Sequence, residues 1–136
     1  MLETIQVNTP DHTAMVDVTG LVTRKVQETG IRNGLCIIYV QHTTAGLTIN
    51  EGADPAVSDD ILNALNRMVP IQGPYRHMEG NSAAHIKAAL MGTSLQVIIE
   101  NSRLLLGTWQ HVFLCEFDGP RTRTIRIKLI KDQGES

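Results

Sequence analysis

Cysteine is scarce: the 136-residue chain has two, Cys36 and Cys115, with no CxxC pair, and both lie inside apolar, strand-like runs. They read as buried thiols that pack like small hydrophobes, not as a redox or ligand pair. An excess of one charge is also missing. Twelve Lys and Arg stand against 14 Asp and Glu, a formal charge of −2. Such a balance lacks the basic footprint of a nucleic-acid binder or of a protein held to acidic lipid. No apolar run approaches the ~20 residues of a membrane helix. The start, Met1-Leu2-Glu3-Thr4-Ile5-Gln6, lacks the basic and apolar regions of a signal peptide. A cytoplasmic location without a membrane partner is expected. Internal repeats, low-complexity tracts and linkers are absent too, so residues 1–136 read as a single domain. There is no HExxH motif, no Gly-rich phosphate loop and no carboxylate-rich Mg²⁺ pair.

What is present is an ordinary globular balance, 42% hydrophobic and 19% charged. A chain of this length buries roughly two-thirds of its unfolded surface and needs neither a disulfide nor a metal to fold. Residues 2–8 alternate in polarity and predict a strand. Thr19 is the expected N-cap of a helix carrying Leu21, Val22 and Val26 and ending at Gly30. The continuous apolar run Leu35 to Val40 predicts a buried strand, followed by a short strand Leu47-Thr48-Ile49. Asp54-Pro55 is a strong helix start, with Val57, Ile61, Leu65 and Met68 facing the core and Pro70 as the stop. Residues 70–80 read as a loop. Asn81 or Ser82 then caps a third helix, Ala83 to Met91, closed by Gly92. The remainder predicts strands over 95–99, 108–117 and 122–130. In the last, Ile125, Ile127 and Leu129 point one way, and Thr124, Arg126 and Lys128 the other. About six strands with three helices predict an α+β fold. Its sheets are expected to be mostly antiparallel and sandwich-like, with the helices covering part of them.

Five histidines occur. His12 reads as a solvated loop residue and His111 as a packed or edge histidine. His42, His77 and His85 sit among polar groups at element boundaries. Imidazole is the commonest transition-metal ligand, and three protein ligands with an open fourth position is the pattern of a catalytic zinc site. Spacing alone leaves two readings open: one shared ion, or three separate histidines that cap or bridge local backbone. Asn50 and Glu51 beyond a short strand suggest a pocket rim, whereas Asp54 has a sufficient role as a cap. Gly107-Thr108-Trp109-Gln110 reads either as a stacking wall or as an ordinary core tryptophan. Arg121 and Arg123 read as a phosphate clamp or as a solvated rim. Lys87 lies on a different helix face from His85.

Taken in order, Gln41-His42-Thr43-Thr44-Ala45-Gly46-Leu47-Thr48-Ile49-Asn50-Glu51, Asp54-Pro55, Tyr75-Arg76-His77, Glu79-Gly80-Asn81, Ala84-His85-Ile86-Lys87, Leu90-Met91-Gly92-Thr93-Ser94-Leu95 and Gly107-Thr108-Trp109-Gln110 resemble the YjbQ-like family. That family is also described as secondary thiamine-phosphate synthases, and the resemblance runs over the whole chain. It implies a compact α+β protein that assembles as a homotrimer. It also implies a polar pocket around His42, His77 and His85 that can hold a divalent metal. Three imidazoles favour Zn²⁺ over Mg²⁺. On this basis the expected function is a thiamine-phosphate synthase-like transferase, with the synthase turnover a secondary activity. His85, Glu51 and Glu79 would be catalytic. Asn50, Asn81, Lys87, Trp109, Gln110 and Arg121 would bind a small phosphorylated metabolite. A metal-dependent hydrolase and a non-enzymatic metal- or metabolite-binding trimer are the alternatives.

Overall fold

A computed structural model describes residues 1–134. Two antiparallel sheets face each other across the main core. The larger has the strand order β1 (Leu2–Asn8), β8 (Thr122–Lys131), β3 (Gly34–Val40), β5 (Ser94–Glu100) and β6 (Arg103–Leu104). The smaller has the order β2 (Ala14–Asp17), β7 (Gln110–Glu116) and β4 (Ala45–Glu51). Three helices complete the fold among the described residues: α1 (Thr19–Thr29), α2 (Pro55–Met68) and α3 (Ser82–Met91). The α+β class and the sandwich expectation hold. The strand tally among the described residues is eight against the expected six or so. The additions, β2 with four residues and β6 with two, are too short to show a polarity period.

Alternation decides which side chains meet. Cys36, Ile38 and Val40 of β3 and Ile125, Ile127 and Leu129 of β8 enter the core, opposite Leu47 of β4 and Val112 and Leu114 of β7. α1 touches one strand of each sheet, β6 and β7, and drives Val22 and Val26 into the core. α2 and α3 cover the outer face of the smaller sheet. There Leu65, Ala84 and Ala88 pack on Phe113 and Cys115. Gly46 permits this approach: a Cβ there would lie 2.8 Å from both the Gly92 carbonyl oxygen and Met91 Cβ. Among the described residues the outer face of the larger sheet has no helix over it. Leu35 and Ile37 are therefore only half-buried, and Tyr39 is exposed, although the apolar run predicted burial on both sides.

Local signals fare unevenly. Asp54 caps α2 as expected, its Oδ1 accepting the Ala56 N–H at 2.9 Å. Thr19 does not cap α1. It is the first helical residue, and Asp17 Oδ1 accepts its N–H at 3.0 Å. The Thr19 hydroxyl instead accepts the Val112 N–H at 2.8 Å, which ties α1 to β7. Met68, the last residue of α2, is 70% exposed and not in the core; Leu65, one turn earlier, is the buried residue of that helix.

Candidate functional site

His42 stands where β3 ends. The last β3–β8 pair is Val40 with Ile125. One residue further along β8, the Thr124 N–H has lost its strand partner, and His42 Nε2 accepts it at 3.0 Å. A neutral His42 therefore carries its hydrogen on Nδ1 and offers a donor, not a lone pair. Burial first, and the nearby Arg123 guanidinium second, hold the His42 imidazole below its ordinary range.

His85 lies in the second turn of α3, beside His42. The two rings, with Thr43, Ala88, Gly92 and Thr93, line a cavity of about 410 Å³. The other side of His85 lines an adjoining cavity of about 460 Å³ with Tyr75, Arg76, His77, Ser82 and Ile86. The His77 and His85 rings meet edge to face, with centroids 5.3 Å apart. Glu79 Oε2 lies 3.8 Å from His77 Nε2. The three expected histidines thus fall along one trough with His85 in its middle wall. They do not form a three-imidazole cage: no group of three or more His, Cys, Asp and Glu among the described residues is placed to hold a metal ion. The lone pair of His42 that a metal would need is already engaged by Thr124.

Other expected contacts go elsewhere. Arg121 is occupied by Asp118, donating from Nε to its carbonyl at 2.8 Å and from Nη2 to Oδ2 at 3.1 Å. Asn81 donates to the same Oδ2 at 3.0 Å, so Asp118 ties the start of α3 to the last hairpin. Asn81 Oδ1 is buried with no partner among the described residues. Lys87 is 1% exposed and donates to Asn66 Oδ1 of α2 at 2.7 Å. Burial lowers its ammonium from the ordinary range. It braces two helices and does not face the trough.

Arg123, read from sequence as a clamp or a solvated rim, is buried. Its Nε donates to Glu116 Oε1 at 2.8 Å, and its Nη2 bonds Glu116 Oε2 and Thr44. Thr9 Oγ1 donates to Glu116 Oε1 at 2.7 Å. Burial alone would raise the Glu116 carboxyl. Arg123, the Asp118 N–H and the Thr9 hydroxyl outweigh it and hold the group below its ordinary range. This network fixes the Thr44 backbone two residues from His42. Sequence reasoning missed it because Thr9 and Glu116 are 107 residues apart.

Asn50, Glu51, Trp109 and Gln110 are brought together, but away from the trough. β4 begins at Ala45 near His42 and ends at Glu51, roughly 20 Å on at about 3.3 Å per residue. At that far end Asn50 pairs with His111 and Glu51 with Gln110, while the Gly52 N–H bonds the Trp109 carbonyl at 3.0 Å. Trp109 is 62% exposed, so it is not a core residue.

With fold and site in view, the chain falls into a class: small α+β proteins built on two antiparallel sheets. The sequence model of the family described as UPF0047 protein YjbQ-like matches residues 3–132, and the chain belongs to that family. It is similar to the UPF0047 protein YugU of Bacillus subtilis, 52% identical over 131 residues, covering 96% of this chain and 99% of that one. It is also similar to a UPF0047 protein of Methanocaldococcus jannaschii, 46% identical over 133 residues, covering 98% and 96%. Among solved structures, an uncharacterized YjbQ/UPF0047-family protein of Clostridium acetobutylicum superposes with a TM-score of 0.92 at 49% identity, covering 94% and 99%. A YbjQ-like protein of unknown function from Sulfolobus solfataricus gives 0.92 at 32% identity, covering 97% of each chain. Among the described residues no helix is long and apolar enough to cross a membrane.

Proposed function

We propose that the chain is a transferase of the thiamine-phosphate synthase kind, acting in the cytoplasm on a small phosphorylated metabolite, with the synthase turnover as a secondary activity. The observation that carries this reading is the placement of His85 between two adjoining cavities, with His42 on one side and His77 and Arg76 on the other. The reaction joins a thiazole phosphate to a hydroxymethylpyrimidine diphosphate. The thiazole nitrogen forms a bond to the pyrimidine methylene carbon, and the carbon–oxygen bond to the diphosphate breaks. The electron pair leaves with pyrophosphate. Donors aimed at that leaving charge lower the barrier. Here they are the Nδ1–H of His42, the His85 and His77 rings and the Arg76 guanidinium. Glu79, with its Oε2 3.8 Å from His77 Nε2, would exchange protons with that ring during turnover.

A resident zinc cage does not fit this donor set, so no step is routed through a metal. A divalent ion, Zn²⁺ or Mg²⁺, would enter with the substrate's phosphates, against His77 and His85. This also disfavours the hydrolase reading, which depends on a metal-bound water. The test is an assay of purified protein with both substrates, free of the host's dedicated synthase. Thiamine phosphate should form, and His85→Ala should abolish it. Binding without product would reject the transferase and leave a metabolite-binding protein.

Self-association as a homotrimer is part of the proposal. Thr124, Arg126 and Lys128 alone give β8 a polar outer face, but the whole sheet adds exposed Leu2, Tyr39, Ile98 and Ile130. A face of this kind supports contact with a second copy.

A further inference from the structure

The chain between α2 and α3 is pinned at both ends and held by little in between. Val69 is buried at the end of α2, and its N–H bonds the Leu65 carbonyl at 2.8 Å. Asn81, at the start of α3, donates to Asp118 Oδ2 at 3.0 Å. From Pro70 to Gly80 every residue but Tyr75 is exposed, Met78 at 97%. Among the described residues no hydrogen bond joins this stretch to the rest of the chain. Its own bonds are internal. The Tyr75 hydroxyl donates to the Pro70 carbonyl at 2.5 Å, and the Tyr75 N–H donates to the Gly73 carbonyl at 2.8 Å.

Those two bonds close residues 70–75 into a small ring. Pro70 and Pro74 fix two of its φ angles. Gly73 lets the phenol lie on the turn, since a Cβ there would stand 3.0 Å from Tyr75 Cε2 and Cζ. The tip is therefore stiff. Beyond it, Arg76 to Gly80 has no backbone hydrogen bond among the described residues, and Gly80 sits at φ +79° with open space around it. A stiff tip joined through a glycine in the left-handed region can turn as a unit. It overhangs the cavity of about 460 Å³ that parts Tyr75 and His77 from Ser82, His85 and Ile86 of α3. The edge-to-face contact of His77 with His85 is its ring contact with that helix. Ile71 and Met78 are exposed and give it no apolar seat. A segment with so few ties to its surroundings opens at low cost.

We propose that residues 70–80 form a lid that closes this cavity over an anionic ligand. It turns at Val69–Pro70 and at Gly80, and Tyr75 is the positioning residue that keeps its tip rigid. The proposal rests on the reading of the trough as a ligand site. Closure brings Arg76 and His77 onto the anion from the loop, while His85 meets it from α3. The Tyr75–Pro70 bond orders the tip in advance, so less freedom is lost on closing. A closed lid also expels water, which strengthens each donor on the anion.

The chain has two tyrosines, Tyr75 on the lid and Tyr39 on β3. Labelling the full-length protein with 3-fluorotyrosine thus gives one fluorine resonance on the lid and one internal control, assigned with Tyr39→Phe. Without ligand, the Tyr75 resonance should show exchange broadening that the Tyr39 resonance lacks. Saturating pyrophosphate should sharpen and shift it, leave Tyr39 in place, and slow tryptic cleavage after Arg76 by about tenfold. Tyr75→Phe should speed that cleavage in the free protein and weaken pyrophosphate binding by about five- to tenfold, the scale of one hydrogen bond. The His85 resonance of the free variant should keep its place. A Tyr75 resonance as narrow as that of Tyr39 without ligand and unmoved with it would overturn the lid. Histidine resonances separate the two readings. Pyrophosphate that shifts His85 but not Tyr75 refutes the lid and keeps the ligand site. Exchange at Tyr75 with no shift at any histidine refutes the ligand site and keeps the hinged loop.

Discussion

The side chain on which the trough rests most heavily never touches it. Glu116 is fully buried against Arg123, and both are bonded through Thr9 and Thr44. Removing one charge of such a pair strands the other. Glu116→Gln should therefore cost about 3–5 kcal/mol, measured by denaturant unfolding. Replacing both partners with apolar residues of similar volume should cost far less. The pH dependence follows from the direction of the shift. A carboxyl held low in the folded state stabilises the protein fully above its unfolded value of 4.5 and loses that contribution as pH falls through the lower folded value. Unfolding scans of the unaltered chain should thus show stability flat above about pH 5 and declining below it. Glu116→Gln should flatten the acid limb, and an unchanged limb would assign the decline to other groups. Individual residues are also where the sequence was least legible. His42 and His85 stood out as boundary histidines. The partners that fix His42 and the nearby Thr44, namely Thr124 and Arg123, are some 80 residues away, and no local pattern marks them. His111 looked like an edge histidine for the same reason, with Asp17 lying 94 residues away.

Elements were read best where one period or one cap sufficed. β8 alternates over its whole length, and Asp54-Pro55 starts α2 as its chemistry dictates. Reading failed where tertiary context chose: Thr19 was taken by Val112 instead of capping α1, and Met68 at the end of α2 stays exposed. In the proposed reaction the element to test is α3, because its seat on β4 sets where His85 lies. That seat depends on Gly46 having no side chain. Gly46→Ala should force α3 away from the sheet, destabilise the protein by about 1–3 kcal/mol and weaken ligand binding at the trough. Gly20→Ala meets nothing within 4 Å and should do neither. Thermal unfolding of the two variants side by side separates the effect of the seat from that of glycine replacement in general.

At the scale of the whole molecule, the two polar centres occupy opposite ends of the smaller sheet, while the larger sheet turns a mixed apolar and basic face outward. The fold class could be read from strand and helix order, but the use of that outer face could not. Its apolar residues come from four strands distant in sequence. Sedimentation at micromolar concentration should give three times the mass of the chain, and Ile98→Lys should shift it to the monomer. Elemental analysis of the purified protein should find well under one divalent ion per chain, since the trough lacks three free ligands. The most direct measurement of the central claim is a titration with pyrophosphate, the leaving group of the proposed reaction, followed through the histidine side-chain resonances. The account predicts saturable shifts at His42, His77 and His85, with His12 and His111 unmoved. A titration that leaves those three rings unchanged, or moves all five alike, would contradict it.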